Sequence, residues 1–212
     1  MFKGQIFQDR FVLSMLNYKN NGYFIEIGSN DPIRHNNTYI LENNFNWKGI
    51  MIEYDKKWYE LYKNIRTNSI HIMEDATKID YKTLFETNQM PLNIDYLQID
   101  LEVDNNSTME TLIKFDNEIF DKYKFAVITF EHDVYRDPTK ETIKQSREIF
   151  LKRGYYMVLN NVSDSYNPFE DWYVHPELVD MNIVKLFQNN NLKNYKNNNI
   201  TQIAIEYTDI EY

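Results

Sequence analysis

Short apolar runs recur along the chain and alternate with segments whose apolar positions lie three or four residues apart. The first pattern marks buried strands and the second amphipathic helices. Ile6, Phe7, Phe11, Val12 and Met15 predict a helix over 5–16. Strands follow at 23–28, 49–53, 69–73, 94–100, 125–131 and 155–160. Between them the spacing predicts helices over 38–44, 57–65, 109–115 and 139–153, the first capped by Asn36 or Asn37 and the last stopped by Gly154. A seventh strand is expected at 200–207, beyond a polar Asn/Lys-rich loop at 189–199, and the one stretch of crossover length before it is 176–187. Strands separated by helices imply βαβ units, an α/β fold and a mostly parallel sheet. No linker composition divides residues 1–212, so a single domain is expected.

Composition narrows the function. Hydrophobic residues make up 42% and charged residues 26%, which is globular rather than disordered. There is no cysteine, so thiolate nucleophiles, disulfides and Cys-ligated zinc fall away. No apolar run is long enough to span a bilayer, and the N-terminus shows no secretory pattern. A cytoplasmic location is the expectation. The formal charge of −9, without a Lys/Arg cluster, disfavours a nucleic-acid partner.

In an open α/β sheet, ligands bind beyond the carboxyl ends of the strands. Those ends collect acids here: Glu26 with Gly28, then Glu53, Asp75, Asp100 with Glu102, and Glu131-His132-Asp133. Gly28 permits a sharp turn and a close backbone approach. Glu53 sits where an acid accepts hydrogen bonds from both hydroxyls of a ribose, and Asp75-Ala76 where adenine is capped. Asp75 reads equally well as a turn or helix cap. The loop Gly28-Ser29-Asn30-Asp31-Pro32 lacks the further glycines that let amides cradle a pyrophosphate. An acid-rich pocket without a phosphate cradle suits S-adenosylmethionine, whose ribose is kept and whose ammonium and sulfonium are cations.

The segment Asn21-Gly22-Tyr23-Phe24-Ile25-Glu26-Ile27-Gly28-Ser29-Asn30-Asp31 leads into Asn37-Thr38, Leu41-Glu42, Trp47-Lys48-Gly49 and Ile52-Glu53. Together with Gln5, Asp9 and Tyr96-Leu97-Gln98-Ile99-Asp100-Leu101-Glu102, it resembles the FkbM family of methyltransferases. Val103 stands where that family has glycine. The resemblance implies a Rossmann-like, seven-stranded class I methyltransferase fold with helices on both faces. It also implies S-adenosylmethionine as methyl donor and O-methylation of a sugar, a glycan or another small polyhydroxylated acceptor. Carried over, Glu26 and Gly28 would line the methionine end, Glu53 the ribose, and Asp75 with Ala76 the adenine, with Ser29, Asn37, Thr38 and Asp100 also among the cofactor-binding residues.

A hydroxyl acceptor gains from a base. His132, flanked by acids, is the first candidate, Asp100 the second, and Glu131 their neighbour. Alternatively Asp100, Glu131, His132 and Asp133 would hold Mg²⁺ or Mn²⁺ to acidify a diol. Trp172, Tyr173 and His175 read as core or as an acceptor wall, and Arg34 with His35 as a solvated loop. The competing functions are a non-catalytic binding or scaffold subunit and a nicotinamide-dependent oxidoreductase, the latter disfavoured by the missing glycines.

Overall fold

The computed structural model describes residues 2–163 and 167–192. Seven strands build one sheet: β1 (Tyr23–Ile27), β2 (Lys48–Glu53), β3 (Ile70–Met73), β4 (Asn93–Ile99), β5 (Lys124–Glu131), β6 (Tyr156–Ser163) and β7 (Pro168–Val174). Their order is β3-β2-β1-β4-β5-β7-β6. β1 to β5 run parallel, while β7 lies antiparallel to both β5 and β6. The helices are α1 (Gln8–Met15), α2 (Tyr39–Phe45), α3 (Tyr59–Ile65), α4 (Tyr81–Thr87), α5 (Ser107–Glu118), α6 (Glu141–Lys152) and α7 (Met181–Leu192).

Each face of the sheet buries its own core. On one face, Phe11 and Val12 of α1, Leu41 of α2, Tyr62 of α3 and Val184 of α7 meet Phe24, Met51, Tyr96 and Trp172. On the other, Phe85 of α4, Phe115 of α5 and Phe150 of α6 meet Ile25, Leu97, Phe130 and Tyr173. The period-2 alternation of the strands sends neighbours such as Trp172 and Tyr173 to opposite cores. Strand order reverses between β1 and β4, the point at which such sheets open a crevice beyond their carboxyl ends.

Six strands lie where the apolar runs put them. The exception is the seventh. The run at 200–207 lies outside the described residues, and the strand beside β5 is Pro168-Phe169-Glu170-Asp171-Trp172-Tyr173-Val174. A proline at its start and two central acids hide this strand from a hydrophobicity pattern, yet six of its seven residues are buried. β6 and β7 pair antiparallel, so the helix expected within 176–187 is not a crossover: α7 follows β7 and covers the first face. Helix α4, set up by Asp80 accepting from Thr83 N at 2.9 Å, was likewise not marked by spacing.

Gly28 turns the chain out of β1 with φ of 82°. A Cβ there would lie 1.7 Å from the Asp100 carbonyl oxygen, so β1 and β4 approach at their tips only because this residue is glycine. Gly28→Ala is expected to cost more than about 2 kcal/mol through the clash and the left-handed backbone together. That is a fall in Tm of roughly 5 °C or more at this chain length. A thermal melt within a degree of the parent would contradict the close approach.

Candidate functional site

Strand register puts the acids of the carboxyl edge on one face. Glu26 lies beside Met51 and Gln98 in neighbouring strands, Gln98 beside Thr129, and Thr129 beside Trp172. Two residues further toward the edge come Glu53, Asp100, Glu131 and Glu170, with Glu131 and Glu170 directly opposed. All five carboxylates therefore share the face covered by α1, α2 and α7.

Glu26 is 1% exposed. It accepts from Asn37 N at 3.1 Å, Thr38 Oγ1 at 2.6 Å and Asn36 Nδ2 at 3.3 Å. Burial pushes its carboxyl up to about 7, against the pull of Arg66 and these donors. Arg66, also buried, ties Asn36, Thr38 and Glu42 into the same network. Asn37 and Thr38 are buried too. Glu26, Asn37 and Thr38 thus lie beneath the edge and fix the loop after β1. Most of their polar atoms bind one another and Gln98, while the buried Asn37 Oδ1 has no hydrogen-bond partner among the described residues. Asn37 Nδ2 reaches Gln98 Oε1 at 2.6 Å, and Gln98 Nε2 reaches Asp100 at 3.1 Å.

The upper surface of the loop is different. Ser29 N bonds to Ile52 O, while its buried Oγ has no hydrogen-bond partner. Glu53, half-buried, accepts the backbone N–H groups of Asn30 and Asp55, each at 2.7 Å. Beyond β2 and β3 lies a cavity of about 560 Å³, lined by Tyr54, Asp55, Lys56, Met73 and Glu74. Tyr54, unremarked in the sequence, is 74% exposed there. Asp75 realises its capping reading: it accepts from Thr77 N at 3.0 Å and pairs with Lys78 at 2.9 Å, which with Thr77 holds its carboxyl down at about 2. It stays ionised and able to accept further donors. Ala76 is buried beside it.

Asp100, Glu131 and Glu170 bring carboxyl oxygens within 4.8 Å of one another. Carboxyls this close and this buried do not all ionise together at neutral pH. Burial raises both Asp100 and Glu131, Glu131 strongly; Asp100 raises Glu131 further, whereas Asp133 and Glu102 raise Asp100. Glu170, 1% exposed, accepts from Gln8 Nε2 at 2.9 Å and from Trp172 Nε1, and burial pushes it up to about 8. No sequence pattern singled out Glu170, because its strand was not recognised.

His132 lies elsewhere. Alternation turns it to the opposite face from Glu131, and it has no exposed surface. Its Nε2 is 3.4 Å from Asp171 Oδ1, and its Nδ1 accepts from Val134 N at 3.2 Å. Asp171 is itself gripped by Arg147 at 2.7 and 3.0 Å. Burial alone would raise Asp171, but the nearby His132 ring and the Arg147 hydrogen bonds outweigh it and hold the carboxyl at about 2. A ring so enclosed cannot take a proton from an acceptor, which corrects the first choice of base. Asp133 is drawn away to Arg136, which also binds Glu102 at 3.2 Å and Asp104. The expected metal set is therefore dispersed. The carboxyls that do converge are Asp100, Glu131 and Glu170, of which Asp100 already accepts from Gln98 and Glu170 from Gln8 and Trp172. Trp172, Tyr173 and His175 are core residues, with His175 packed edge-on to Tyr155 at 5.2 Å, and Arg34 and His35 are exposed.

No family model and no curated protein matches the chain, so the FkbM resemblance rests on its residues alone. Solved structures match at low identity. A protein of Clostridium thermocellum assigned as an rRNA methylase superposes with a TM-score of 0.51 at 11% identity, over 82% of this chain and 98% of that one. The methyltransferase domain of METTL16 superposes with a TM-score of 0.52 at 9% identity, over 78% of this chain and 65% of that one. With the strand order above, these matches give the chain the Rossmann-like methyltransferase fold.

His132→Ala should act on the fold: it opens a cavity beside Asp171 and removes the acceptor of Val134 N, at about 2 kcal/mol. Tm is expected to fall by roughly 4–8 °C. An unchanged Tm would contradict this structural role.

Proposed function

We propose that the protein is an S-adenosylmethionine-dependent methyltransferase acting on a hydroxyl of a sugar, glycan or similar small polyhydroxylated molecule. The observation that carries the donor is the pairing of the Gly28–Ser29 turn with Glu53 on one face of the edge, beside a roomy cavity and without a pyrophosphate cradle. Three features of the rim fit this nucleoside: the orphaned Ser29 Oγ, the backbone cradle that Gly28 leaves open, and the ionised Asp75. The hydroxyl acceptor rests on the FkbM-like motifs, and the net charge of −9 favours a small acceptor over a nucleic acid.

Glu53 would accept the ribose hydroxyls, its lone pairs exceeding the two amides it already binds. Tyr54 offers an exposed ring for the adenine face, and Asp75 an acceptor for the exocyclic amine. The donor, when bound, supplies an already activated methyl group, so the chain's task is alignment and proton removal. Asp100 is the base. Gln98 donates to it at 3.1 Å, which orients its carboxylate and leaves lone pairs for the acceptor's hydroxyl proton. Glu26 acts through other residues, by holding the loop.

Isothermal titration with S-adenosylhomocysteine and with NAD tests the reading. The thioether is expected to bind and NAD not to; binding of NAD alone would overturn it. Glu53→Ala should weaken the thioether complex about tenfold or more. Asp100→Asn should keep that complex but lose about 100-fold or more of methyl transfer to a sugar panel. Retained binding with no transfer by the parent across the panel would favour the scaffold reading instead.

A further inference from the structure

The loops that leave β4 and β5 enclose a second cavity, of about 370 Å³, between the starts of α5 and α6. That size lies within the range of small-molecule sites. Part of the lining is apolar: Val103 and Met109, both buried. Val103 is the residue that stands in place of the FkbM glycine, and a glycine would give the cavity no side chain there. The rest is polar, with Asp104 and Asn106 from the β4 side and Arg136, Glu141 and Gln145 from the β5 side.

Asn106 is the least ordinary member. Asparagine is a favoured helix N-cap, and this one occupies the N-cap of α5 with φ of 66°, a left-handed backbone that asparagine tolerates. Yet its side chain makes no cap hydrogen bond, which leaves the amide to the cavity. Gln145 donates to Glu141 Oε2 at 3.3 Å and keeps its carbonyl oxygen as an acceptor. The walls are fixed by other residues. Arg136 binds Asp133 at 3.1 Å, Glu102 at 3.2 Å and Asp104, so one guanidinium ties the two loops together. Asp137 accepts from Thr139 N, Lys140 N and Thr142 N at 2.9, 3.0 and 3.0 Å and sets the start of α6.

The chemistry of the lining selects the ligand. Asp104, Asp137 and Glu141 outnumber the one lining cation, Arg136, which is already committed to carboxylates. An anionic ligand is therefore disfavoured. A purely apolar ligand would leave the amides unpaired. A neutral polyhydroxylated ring satisfies both parts: its C–H face meets Val103 and Met109, and its hydroxyls, each donor and acceptor, meet amides that are also both.

We propose that this cavity is a carbohydrate subsite that takes one neutral sugar unit between Asn106 and Gln145, against Val103 and Met109. As the place that holds the acceptor for methyl transfer it rests on the methyltransferase reading; as a sugar site it does not. Asp100 and Glu131 stand at the roots of the same two loops, so a sugar held here is held by the segments that carry the candidate base.

The test is ¹⁵N–¹H NMR of the full chain, read at the side-chain amides of Asn106 and Gln145, with and without S-adenosylhomocysteine. The probes are the methyl glycosides of glucose, galactose, mannose and rhamnose, and inorganic phosphate. At least one glycoside is expected to shift both amides saturably at millimolar concentration, and phosphate neither. Silence at these amides across the glycosides, or saturable shifts with phosphate alone, overturns the proposal. Asn106→Gly removes the amide and suits the left-handed backbone, so the fold is kept. It should weaken the responding glycoside about fivefold or more, read at Gln145. Gln145→Met, on the other loop, should give the same loss, read at Asn106, and unchanged affinity in both variants also overturns the subsite. A parent that binds the glycoside but not the thioether keeps the subsite and loses the methyltransferase reading. One that binds the thioether but no glycoside loses the subsite alone.

Discussion

Carboxylates crowded on one desolvated edge must each find a donor, a cation or a proton, and the carboxyl end of this sheet is organised by that requirement. Glu26 takes Asn37, Thr38 and Asn36, with Arg66 nearby. Glu53 takes two backbone amides of the loops on either side. Asp100 takes the Gln98 amide, burial and the nearby Asp100 charge raise Glu131, and Glu170 takes an amide and an indole. Each solution also fixes a piece of chain. The Glu26 network sets the loop after β1, the Glu53 amides set the rim, and the Glu170 clamp joins α1 to β7. Burying a charge without such partners costs far more than any one of these contacts returns. The loops are therefore held where the acids need them.

The same requirement is met on the opposite face by different chemistry. Asp171 receives a two-pronged guanidinium from Arg147 and lies beside His132, and its carboxyl stays ionised at about 2. Glu170, its neighbour in sequence, is pushed up to about 8 among other acids. Two adjacent acids of one strand thus hold opposite protonation preferences, set by which face each side chain enters. One anchors the fold and the other sits at the candidate acceptor site.

Much of this was legible in the residues. The apolar runs placed six strands, and the acids at their ends placed the edge, because a strand that stops in an acid announces where water begins. Gly28 was recognisable as a turn, and its approach to Asp100 gives that reading its physical cause. Two features were not legible. β7 carries Glu170 and Asp171 in its middle, so a pattern that rewards apolar residues passes over it, although both acids are buried by partners distant in sequence. His132 stood out through its acidic neighbours, but adjacency in a strand means opposite faces, and only the pairing with β7 shows which face is the site. Glu26, Asn37 and Thr38 were picked out in the sequence, but the network that buries them was not legible there, since burial is a property of the assembled fold.

A low-charge edge built from acids suits a ligand that brings positive charge with it. The most direct measurement is the number of protons exchanged on binding, from isothermal titrations in buffers of different ionisation enthalpy at pH 7.5. S-adenosylmethionine and S-adenosylhomocysteine differ in the charge on sulfur and its methyl group. The sulfonium should draw protons off the Asp100–Glu131–Glu170 trio, so the cation is expected to release about half a proton or more beyond the neutral thioether. Equal proton counts for the two ligands would contradict the claim that these carboxyls are held for a cationic donor.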